Sequence, residues 1–221
     1  MTFAPSPTPL HTPVHAPQRI VAAFDFDGTI TTTDSLRDFV RQTVGDARFA
    51  LAVLRALPWL AGLKLGLCDR AQAKARFLGA AMGEVSRDEL QRAARRYAGA
   101  ELRALVRPEM VERIRAHQRL GHTLVLVSAS PALYLAHWAA DMGFDAVLAT
   151  ELAFPDGRFR GQLASPNCWG PEKVRRLQQW LGDDRPARLF AYGDSRGDQE
   201  MLALADHRWL RGDGPMPPLE A

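Results

Sequence analysis

Four short runs of apolar, β-prone residues recur along the chain, and stretches with apolar residues at helical spacing separate the later ones. The apolar runs are IVAAF (20–24), HTLVLVS (122–128), AVLAT (146–150) and RLFAY (188–192). The helical patterns are VERIRAHQRL (111–120), PALYLAHWAADM (131–142) and EKVRRLQQWL (172–181). Continuous apolar runs of this length are typical of strands that are buried on both faces. Their alternation with helices predicts an α/β fold with a doubly wound parallel sheet.

Residues 35–105 interrupt this alternation. They are rich in Leu, Ala and Arg, and their apolar positions follow a helical period with no strand pattern. We therefore predict a helical insertion between the first two strands, with the core of the protein built from residues 19–34 and 106–221. The segment DGRFRGQL (156–163) is expected to form a hairpin beside that core.

Within the predicted insertion, the segment FALAVLRALPWLAGLKLGLC (49–68) is apolar over almost the length that spans a bilayer. Arg55, Pro58 and Lys64 interrupt it, and charged side chains are costly at bilayer depth. We favour helices packed in the interior of the insertion. A surface that contacts lipid at the membrane interface is the second interpretation, and a true span is the least favoured.

The composition limits the partners of the protein. The chain of 221 residues has a formal net charge of +3 and no basic run interleaved with aromatic residues, so no nucleic-acid partner is expected. Residues 1–18 contain five prolines and little charge, which predicts a disordered Pro-rich arm. The arm lacks a basic start followed by an apolar stretch, so we expect a cytoplasmic protein without a secretory signal. No pattern indicates an oligomeric state.

Chemically active side chains follow the predicted strands at the points where the strands end. Because ligands of open α/β sheets bind beyond the carboxyl ends of the strands, we expect these side chains to share one site. A loop ahead of the helix at 172–181 adds the lysine. The residues are Asp25, Asp27, Ser128, Lys173, Asp194 and Asp198.

Two aspartates in this set indicate the chemistry. Asp25 and Asp27 leave the strand end on the same side, and carboxylates so close raise one another's pKa unless a cation neutralises them. Mg²⁺ binds such carboxylates together with waters and phosphate oxygens. Gly28 allows a sharp turn that brings backbone N–H groups close to an anion. A calcium loop of the EF-hand type fits less well, because its glycine stands sixth after a helix, not fourth after a strand.

One carboxylate can attack phosphorus as a nucleophile, and a second can protonate the leaving oxygen and then deprotonate water. Ser128 and Lys173 can hold the remaining phosphoryl oxygens, with the lysine acting as a compact point charge. The residue pattern therefore predicts magnesium-assisted phosphoryl transfer.

These residues resemble the motifs of the haloacid dehalogenase (HAD) superfamily of phosphohydrolases. Asp25-Phe26-Asp27-Gly28-Thr29 is similar to its first motif, Ser128 to its second, Lys173 to its third and Gly193-Asp194 with Asp198 to its fourth. The resemblance covers about residues 19–211. It implies a Rossmann-like core, and the helical insertion is similar to the cap of the phosphoserine-phosphatase-like branch, subfamily IB.

The resemblance also implies roles for single residues. Asp25 would be the nucleophile and Asp27 the general acid and base. Mg²⁺ would be held by the side chains of Asp25 and Asp194 and by the backbone carbonyl of Asp27, with Asp198 supporting its water shell. In the phosphoserine phosphatases the cap contributes an acidic residue and an arginine to the substrate. The expected substrate-binding residues here are Asp34, Arg76, Gly28 and Ala129.

We therefore expect a HAD-type phosphatase that hydrolyses a small phosphomonoester through an aspartyl-phosphate. Two alternatives remain. The first is a phosphatase of a lipid phosphate such as phosphatidylglycerophosphate, with the 49–68 segment at the membrane surface. The second is a non-enzymatic phospho-acceptor domain of signalling, for which the second carboxylate, Asp27, would be unnecessary.

Overall fold

The computed structural model describes residues 19–183 and 185–219. The strands within that part are β1 (Ile20–Phe24), β2 (Thr123–Pro131), β3 (Ala146–Thr150), β4 (Arg188–Gly193) and β5 (His207–Leu210). They form one parallel sheet in the order β3-β2-β1-β4-β5. The predicted doubly wound α/β fold is therefore confirmed, whereas the predicted arm at 1–18 lies outside the described residues.

The helices of the described part are, in chain order, first those of the insertion and then those beside the sheet. They are α1 (Ser35–Val44), α2 (Asp46–Lys64), α3 (Arg70–Met82), α4 (Arg87–Gly99), α5 (Glu101–Leu105), α6 (Pro108–Arg119), α7 (Ala132–Asp141), α8 (Pro171–Leu181) and α9 (Gln199–Leu204). Polar residues start several of them: Asp34 caps α1, and capping boxes start α3 and α4.

The two faces of the sheet carry separate apolar cores, because successive residues of a strand point to opposite faces. On one face Ala22 and Phe24 of β1 pack with the helices α1, α3, α4, α6 and α7. On the other face Val21 and Ala23 pack with α8 and α9. Burial on both sides explains why the strands read as continuous apolar runs.

The segment between β1 and β2 is helical, with α1 to α5 spanning residues 35–105. The expectation that its apolar 49–68 segment packs inside the insertion is wrong for much of α2. Only Ala52 and Ala56 of this helix are buried, and four of its five leucines, Leu51, Leu54, Leu57 and Leu60, are exposed. The reason is that α2 has a single packed neighbour along most of its length, α3, so only one side of the helix is covered.

The predicted hairpin at 156–163 is also wrong. A 3₁₀ turn (Pro155–Gly157) occupies its start, and the antiparallel bridge joins Leu152 to Leu163 at the base of the loop. The middle of the loop pairs with the insertion instead, since Phe159 N–H donates to the Val85 carbonyl at 2.9 Å.

Strand β5 was not predicted, because its four residues include the polar His207 and Arg208 at the edge of the sheet.

Candidate active site

The carboxyl end of β1 places Asp25 at the centre of a buried ionic cluster. Lys173 Nζ lies 2.5 Å from Asp25 Oδ1 and 2.6 Å from Asp198 Oδ1. All three side chains are almost completely buried. Because charged groups this deep are stable only when paired, each of the three depends on the others for its position.

The local chain direction explains why Lys173 reaches the cluster. Gly170 adopts a positive φ of 59° just before α8, and Pro171 starts the helix. Lys173 then lies in the first turn of α8 and points back to the sheet edge. From this position Lys173 makes the contact to Asp25.

Asp198 is fixed by the turn after β4. Its Oδ2 accepts hydrogen bonds from the backbone N–H groups of Asp194 and Ser195, at 3.2 and 3.0 Å, and from the Ser195 hydroxyl at 2.9 Å. Its Oδ1 is left for Lys173. The Arg-Gly-Asp sequence at 196–198 forms this 3₁₀ turn, which positions Asp198 in the site.

Asp27 lies in a different environment from Asp25. It accepts a hydrogen bond from the backbone N–H of Ser35 at 2.7 Å and another from the Ser130 hydroxyl at 2.5 Å. Ser35 is itself held between two tyrosines, Tyr134 through its hydroxyl and Tyr97 through its carbonyl. Asp27 is therefore oriented by serines, whereas Asp25 is oriented by a lysine.

The third acidic position, Asp194, completes a possible cation site. One ligand atom from each of Asp25, Asp194 and Asp198 lies within 4.8 Å of the others. Gly28 makes this approach possible, because a Cβ at that position would lie 2.1 Å from Asp194 Oδ2. Thr29 donates a hydrogen bond to Asp25 Oδ2 at 2.8 Å. An oxygen-only donor set of this kind fits Mg²⁺.

Burial and like charge shift the pKa values of the carboxyl groups upward. Burial raises the pKa of Asp25 to about 7, against the opposing effect of Lys173. Burial and then the Asp34 carboxylate raise the pKa of Asp27 above its usual range, while burial and Asp198 do the same for Asp194. Burial alone would lower the pKa of Lys173, but Asp25 and Asp198 raise it overall. A divalent cation would relieve the excess negative charge.

A cleft of about 610 Å³ opens above the cluster. Its floor contains the charged residues of the sheet edge, and its opposite wall is mostly apolar. The wall comes from α2 and α3 and consists of Phe49, Val53, Ala56, Leu60, Leu63, Ala73 and Phe77. The combination of a few convergent polar groups and an apolar wall is typical of a small-molecule site.

Most of the predicted site residues line this cleft. They include Ser128 and Ala129 in the irregular end of β2, where the register with β3 shifts. Asp34 caps α1 by accepting from the Arg37 N–H at 3.1 Å, and it also faces the cleft. Gly28 lies beneath Asp194.

Arg76, which was expected to bind substrate, does not reach the cleft. Its guanidinium lies 4.6 Å from the centre of the Trp59 ring and faces a separate depression on the far side of α3. The reason is helical phase: Lys74, two residues earlier, occupies the cleft side of α3. Two arginines that the sequence did not single out, Arg37 and Arg70, line the cleft instead.

Lys74 is the main site residue that was missed. Its Nζ donates to the Ala129 carbonyl at 2.7 Å and to Asn167 Oδ1 at 2.6 Å, which joins the insertion to the end of β2 and to the loop before α8. Burial lowers the pKa of Lys74 to about 8. The scarcity of lysine in this chain was a usable signal, since Lys64, Lys74 and Lys173 are its only lysines.

The sequence and fold of this chain relate it to known proteins. A model of the haloacid dehalogenase-like hydrolases matches residues 22–203. The chain belongs to this family. The predicted HAD membership and the prediction of a hydrolase are therefore confirmed.

Individual proteins are similar to this HAD-like hydrolase over most of their length. Protein CicA of Caulobacter vibrioides is 37% identical over 198 residues, which cover 87% of this chain and 86% of CicA. A structure from Bordetella pertussis, described as having unknown function, is 26% identical with a TM-score of 0.74 and covers 86% and 89% of the two chains.

The predicted likeness to the phosphoserine-phosphatase branch is confirmed at the level of fold. A substrate-bound phosphoserine phosphatase superposes with a TM-score of 0.62 at 15% identity, over 87% of this chain and 86% of that one.

Among the described residues, no helix has the length and apolar character needed to cross a membrane.

Proposed function

We propose that this HAD-like hydrolase is a Mg²⁺-dependent phosphatase that hydrolyses a small phosphomonoester through an aspartyl-phosphate on Asp25. The observation that carries the proposal is the pair Asp25 and Asp27 in two distinct settings at one cleft. Asp25 faces Lys173 at 2.5 Å, while Asp27 is held by Ser35 and Ser130 and has a raised pKa. Two carboxyl groups with different environments are what a nucleophile and a general acid require.

In the first step, an Asp25 oxygen attacks phosphorus and the bond from phosphorus to the leaving oxygen breaks. The leaving oxygen takes the electron pair of that bond and a proton from Asp27, whose pKa burial raises in the direction that suits a general acid. In the second step, Asp27 takes a proton from water, and the resulting hydroxide attacks phosphorus. The bond between phosphorus and Asp25 then breaks, which releases inorganic phosphate and restores the carboxylate.

Ser128 and Lys173 hold the phosphoryl group during both steps. Ser128 Oγ accepts the N–H of Ser130 at 3.0 Å, so its own hydroxyl hydrogen is available for a phosphoryl oxygen. Lys173 offers the fixed positive charge beside the nucleophile. Such preorganised donors stabilise charge that develops in the transition state.

The residues fit Mg²⁺ because their ligand atoms converge and their shared negative charge exceeds the charge of Lys173. The side chains of Asp25 and Asp194 with the Asp27 backbone carbonyl would hold the ion, and Asp198 would support its water shell. When bound, Mg²⁺ supplies neutralisation of the phosphoryl oxygens and keeps the Asp25 carboxylate ionised.

We assign residues 35–105 the role of a cap over the cleft, with 19–34 and 106–221 as the catalytic core. The apolar wall of the cleft comes from α2 and α3, so this segment decides which leaving group is accepted. Lys74 ties α3 to the Ala129 and Asn167 loops, which holds the cap over the sheet edge. Exclusion of water by such a cap protects the acyl phosphate.

The test is phosphate release from a panel of phosphomonoesters by the parent protein, with Mg²⁺ and with a chelator, and by Asp27→Asn. We expect turnover that needs Mg²⁺. For Asp27→Asn with p-nitrophenyl phosphate, whose leaving group needs little protonation, we expect one burst of product and a ³²P label that stays on the protein.

Two outcomes would contradict the proposal. Full turnover by Asp27→Asn would remove the acid–base role. A parent protein that keeps a stable label and releases no phosphate would indicate a phospho-acceptor domain, the alternative from another class.

A further inference from the structure

The exposed surface of α2 is unusual because its large apolar side chains face solvent. Of the eight large hydrophobic side chains exposed in the described residues, six lie on α2 or in the turn that follows it. This leucine face consists of Leu51 (44% exposed), Leu54 (62%), Leu57 (49%), Leu60 (43%), Leu65 (73%) and Leu67 (79%). Single exposed leucines need no explanation, but a contiguous group marks an interaction surface.

Three of these leucines form one stripe along the helix. At about 100° per residue, Leu51, Leu54 and Leu57 fall within an arc of about 120°. The residues between them on that arc are small or rigid: Ala50, Pro58 and Ala61. The opposite side of α2 forms the apolar wall of the cleft, and Leu60 belongs to both surfaces. The leucine face therefore borders the mouth of the candidate active site.

Positive charge flanks this stripe on both sides. Arg48 and Arg55 lie along one edge and Lys64 along the other, and no acidic residue occurs between Asp46 and Asp69. Within the described part of the chain, neither Arg55 nor Lys64 forms an ion pair. Solvent-facing leucines and unpaired cations thus share one surface.

The arginine edge continues into a depression of about 1220 Å³. Arg48, Arg55, Arg76 and Arg160 line it, and Glu84 is its single acidic lining residue, already paired with Arg160. Arg76 lies over Trp59, an indole that is itself half-buried at the same edge. This depression is suited to anionic groups, and it adjoins an apolar stripe.

A second copy of the chain does not fit this combination. Two leucine faces in contact would bring Arg55 and Lys64 of each copy together without any carboxylate on the same surface to pair with them. An anionic bilayer offers both complements, since apolar side chains enter the boundary between head groups and acyl chains while arginines meet phosphates.

We propose that the leucine face docks the protein on the surface of an anionic lipid bilayer, with α2 lying in the interfacial plane and the arginine-lined depression receiving phosphate head groups. The helix does not cross the bilayer. Docking of this kind places the mouth of the cleft beside the lipid surface, because Leu60 is part of both. The proposal concerns binding and holds whether or not the proposed reaction occurs.

The experiment is flotation of the full chain with vesicles of phosphatidylglycerol and phosphatidylcholine, and with vesicles of phosphatidylcholine alone. The test variant is Leu54→Glu/Leu57→Glu, neither residue of which lines the cleft. The matched control is Leu120→Glu/Leu204→Glu, which changes the remaining exposed leucines, at 39% and 36% exposure, elsewhere on the surface. Circular dichroism confirms that each variant is folded.

We expect the parent and the control to bind the anionic vesicles and to release them as salt rises, with weak binding to phosphatidylcholine alone. The Leu54→Glu/Leu57→Glu variant should lose binding by a factor of about ten or more, and Arg55→Glu should weaken it without the leucine change. Hydrolysis of a soluble phosphomonoester by these variants should equal that of the parent.

Three results would overturn the proposal. The first is a parent that fails to float with any vesicle, and the second is a control that loses binding as strongly as the test variant. The third is a parent that forms dimers at working concentration, becomes monomeric in Leu54→Glu/Leu57→Glu, and ignores vesicles, which would make the leucine face a contact between copies.

Discussion

The sheet edge around Asp25 and the exposed side of α2 both depart from the usual distribution of polar and apolar residues, in opposite directions. At the sheet edge, Asp25, Lys173 and Asp198 are buried. On α2, residues such as Leu54 and Leu57 are exposed. The buried charges have partners within the chain, whereas Leu54 and Leu57 leave about half or more of their surface to solvent.

The contrast shows two ways in which a surface indicates a ligand. At the sheet edge the partners are present, but three carboxylates against one ammonium leave an excess of negative charge that a cation would balance. On α2 the missing partner is a surface that would cover the exposed leucines. Residues that break the usual rules of burial are expected where a protein binds a ligand. An excess of buried negative charge indicates a cation, and exposed apolar side chains indicate an apolar surface.

The largest expected effect comes from the proposed nucleophile. Asp25→Asn keeps the shape of the side chain but removes the carboxylate that attacks phosphorus in the proposed mechanism, so phosphate release should fall by about a thousandfold or more. Asp213→Asn, an exposed aspartate, serves as the control and should retain full activity. Retention of substantial activity by Asp25→Asn would place the chemistry elsewhere in the cleft.

Removal of the ammonium tests how far the buried charges depend on each other. Lys173→Met leaves Asp25 and Asp198 buried without their cation, and we expect the free energy of unfolding in chelator to fall by about 3–5 kcal/mol. Urea denaturation with and without Mg²⁺ measures it, and Mg²⁺ should restore part of the loss.

The same variant has a predictable pH dependence. Burial raises the folded pKa of Asp25 to about 7 even with Lys173 present, and loss of Lys173 raises it further. A carboxyl group with a raised folded pKa stabilises the fold at low pH and loses that contribution as pH rises. The loss of unfolding free energy in Lys173→Met should therefore be larger above pH 7 than below it. A loss that grows as the pH falls would contradict the pairing of Lys173 with Asp25.

Gly28→Ala tests the metal site through sterics. A Cβ there would lie 2.1 Å from Asp194 Oδ2, so Asp194 must move, and the Mg²⁺ concentration for half-maximal activity should rise by about 10–100-fold. Gly45→Ala is the matched control, since Gly45 has nearly the same φ, 79° against 82°, and a Cβ added there meets nothing within 4 Å. Equal effects of both variants would point to backbone strain and not to Asp194.

Lys74 tests the link between α3 and the sheet edge. Lys74→Met leaves the Ala129 carbonyl and Asn167 Oδ1 without their donor, which should cost about 1–3 kcal/mol of unfolding free energy. Lys64→Met, a change at an exposed lysine of α2, should cost almost nothing. Urea unfolding of both variants makes the comparison, and equal stabilities would show that Lys74 does not hold the two parts together.

The smallest effect is expected for Arg76→Ala. Because Arg76 faces away from the cleft, the KM for a soluble phosphomonoester should change by less than about twofold. Arg70→Ala, on the cleft side of α3, should raise KM more for an anionic leaving group. The reverse order of the two KM values would restore the role that the motif resemblance gave to Arg76.

Sequence reasoning was most successful where the pattern is local. The buried strand β1 followed at once by Asp25 and Asp27 could be recognised, because a strand end and its first loop residues are adjacent in the chain. Lys173 was expected in a loop ahead of a helix, and it lies in the first turn of that helix, α8. Arg76 was misplaced because a shift of two residues turns a side chain to the opposite side of a helix.

The sequence by itself determined the alternating strands and helices, the helical insertion and the acidic motifs, since these depend on residue spacing along the chain. Tertiary structure alone decided that Lys74 faces the cleft, that Ser35 and Ser130 hold Asp27, and that the leucines of α2 face solvent. The physical reason is that each depends on which distant surface covers a given side of a helix. An apolar helix reads the same in the sequence whether a neighbour covers it or not.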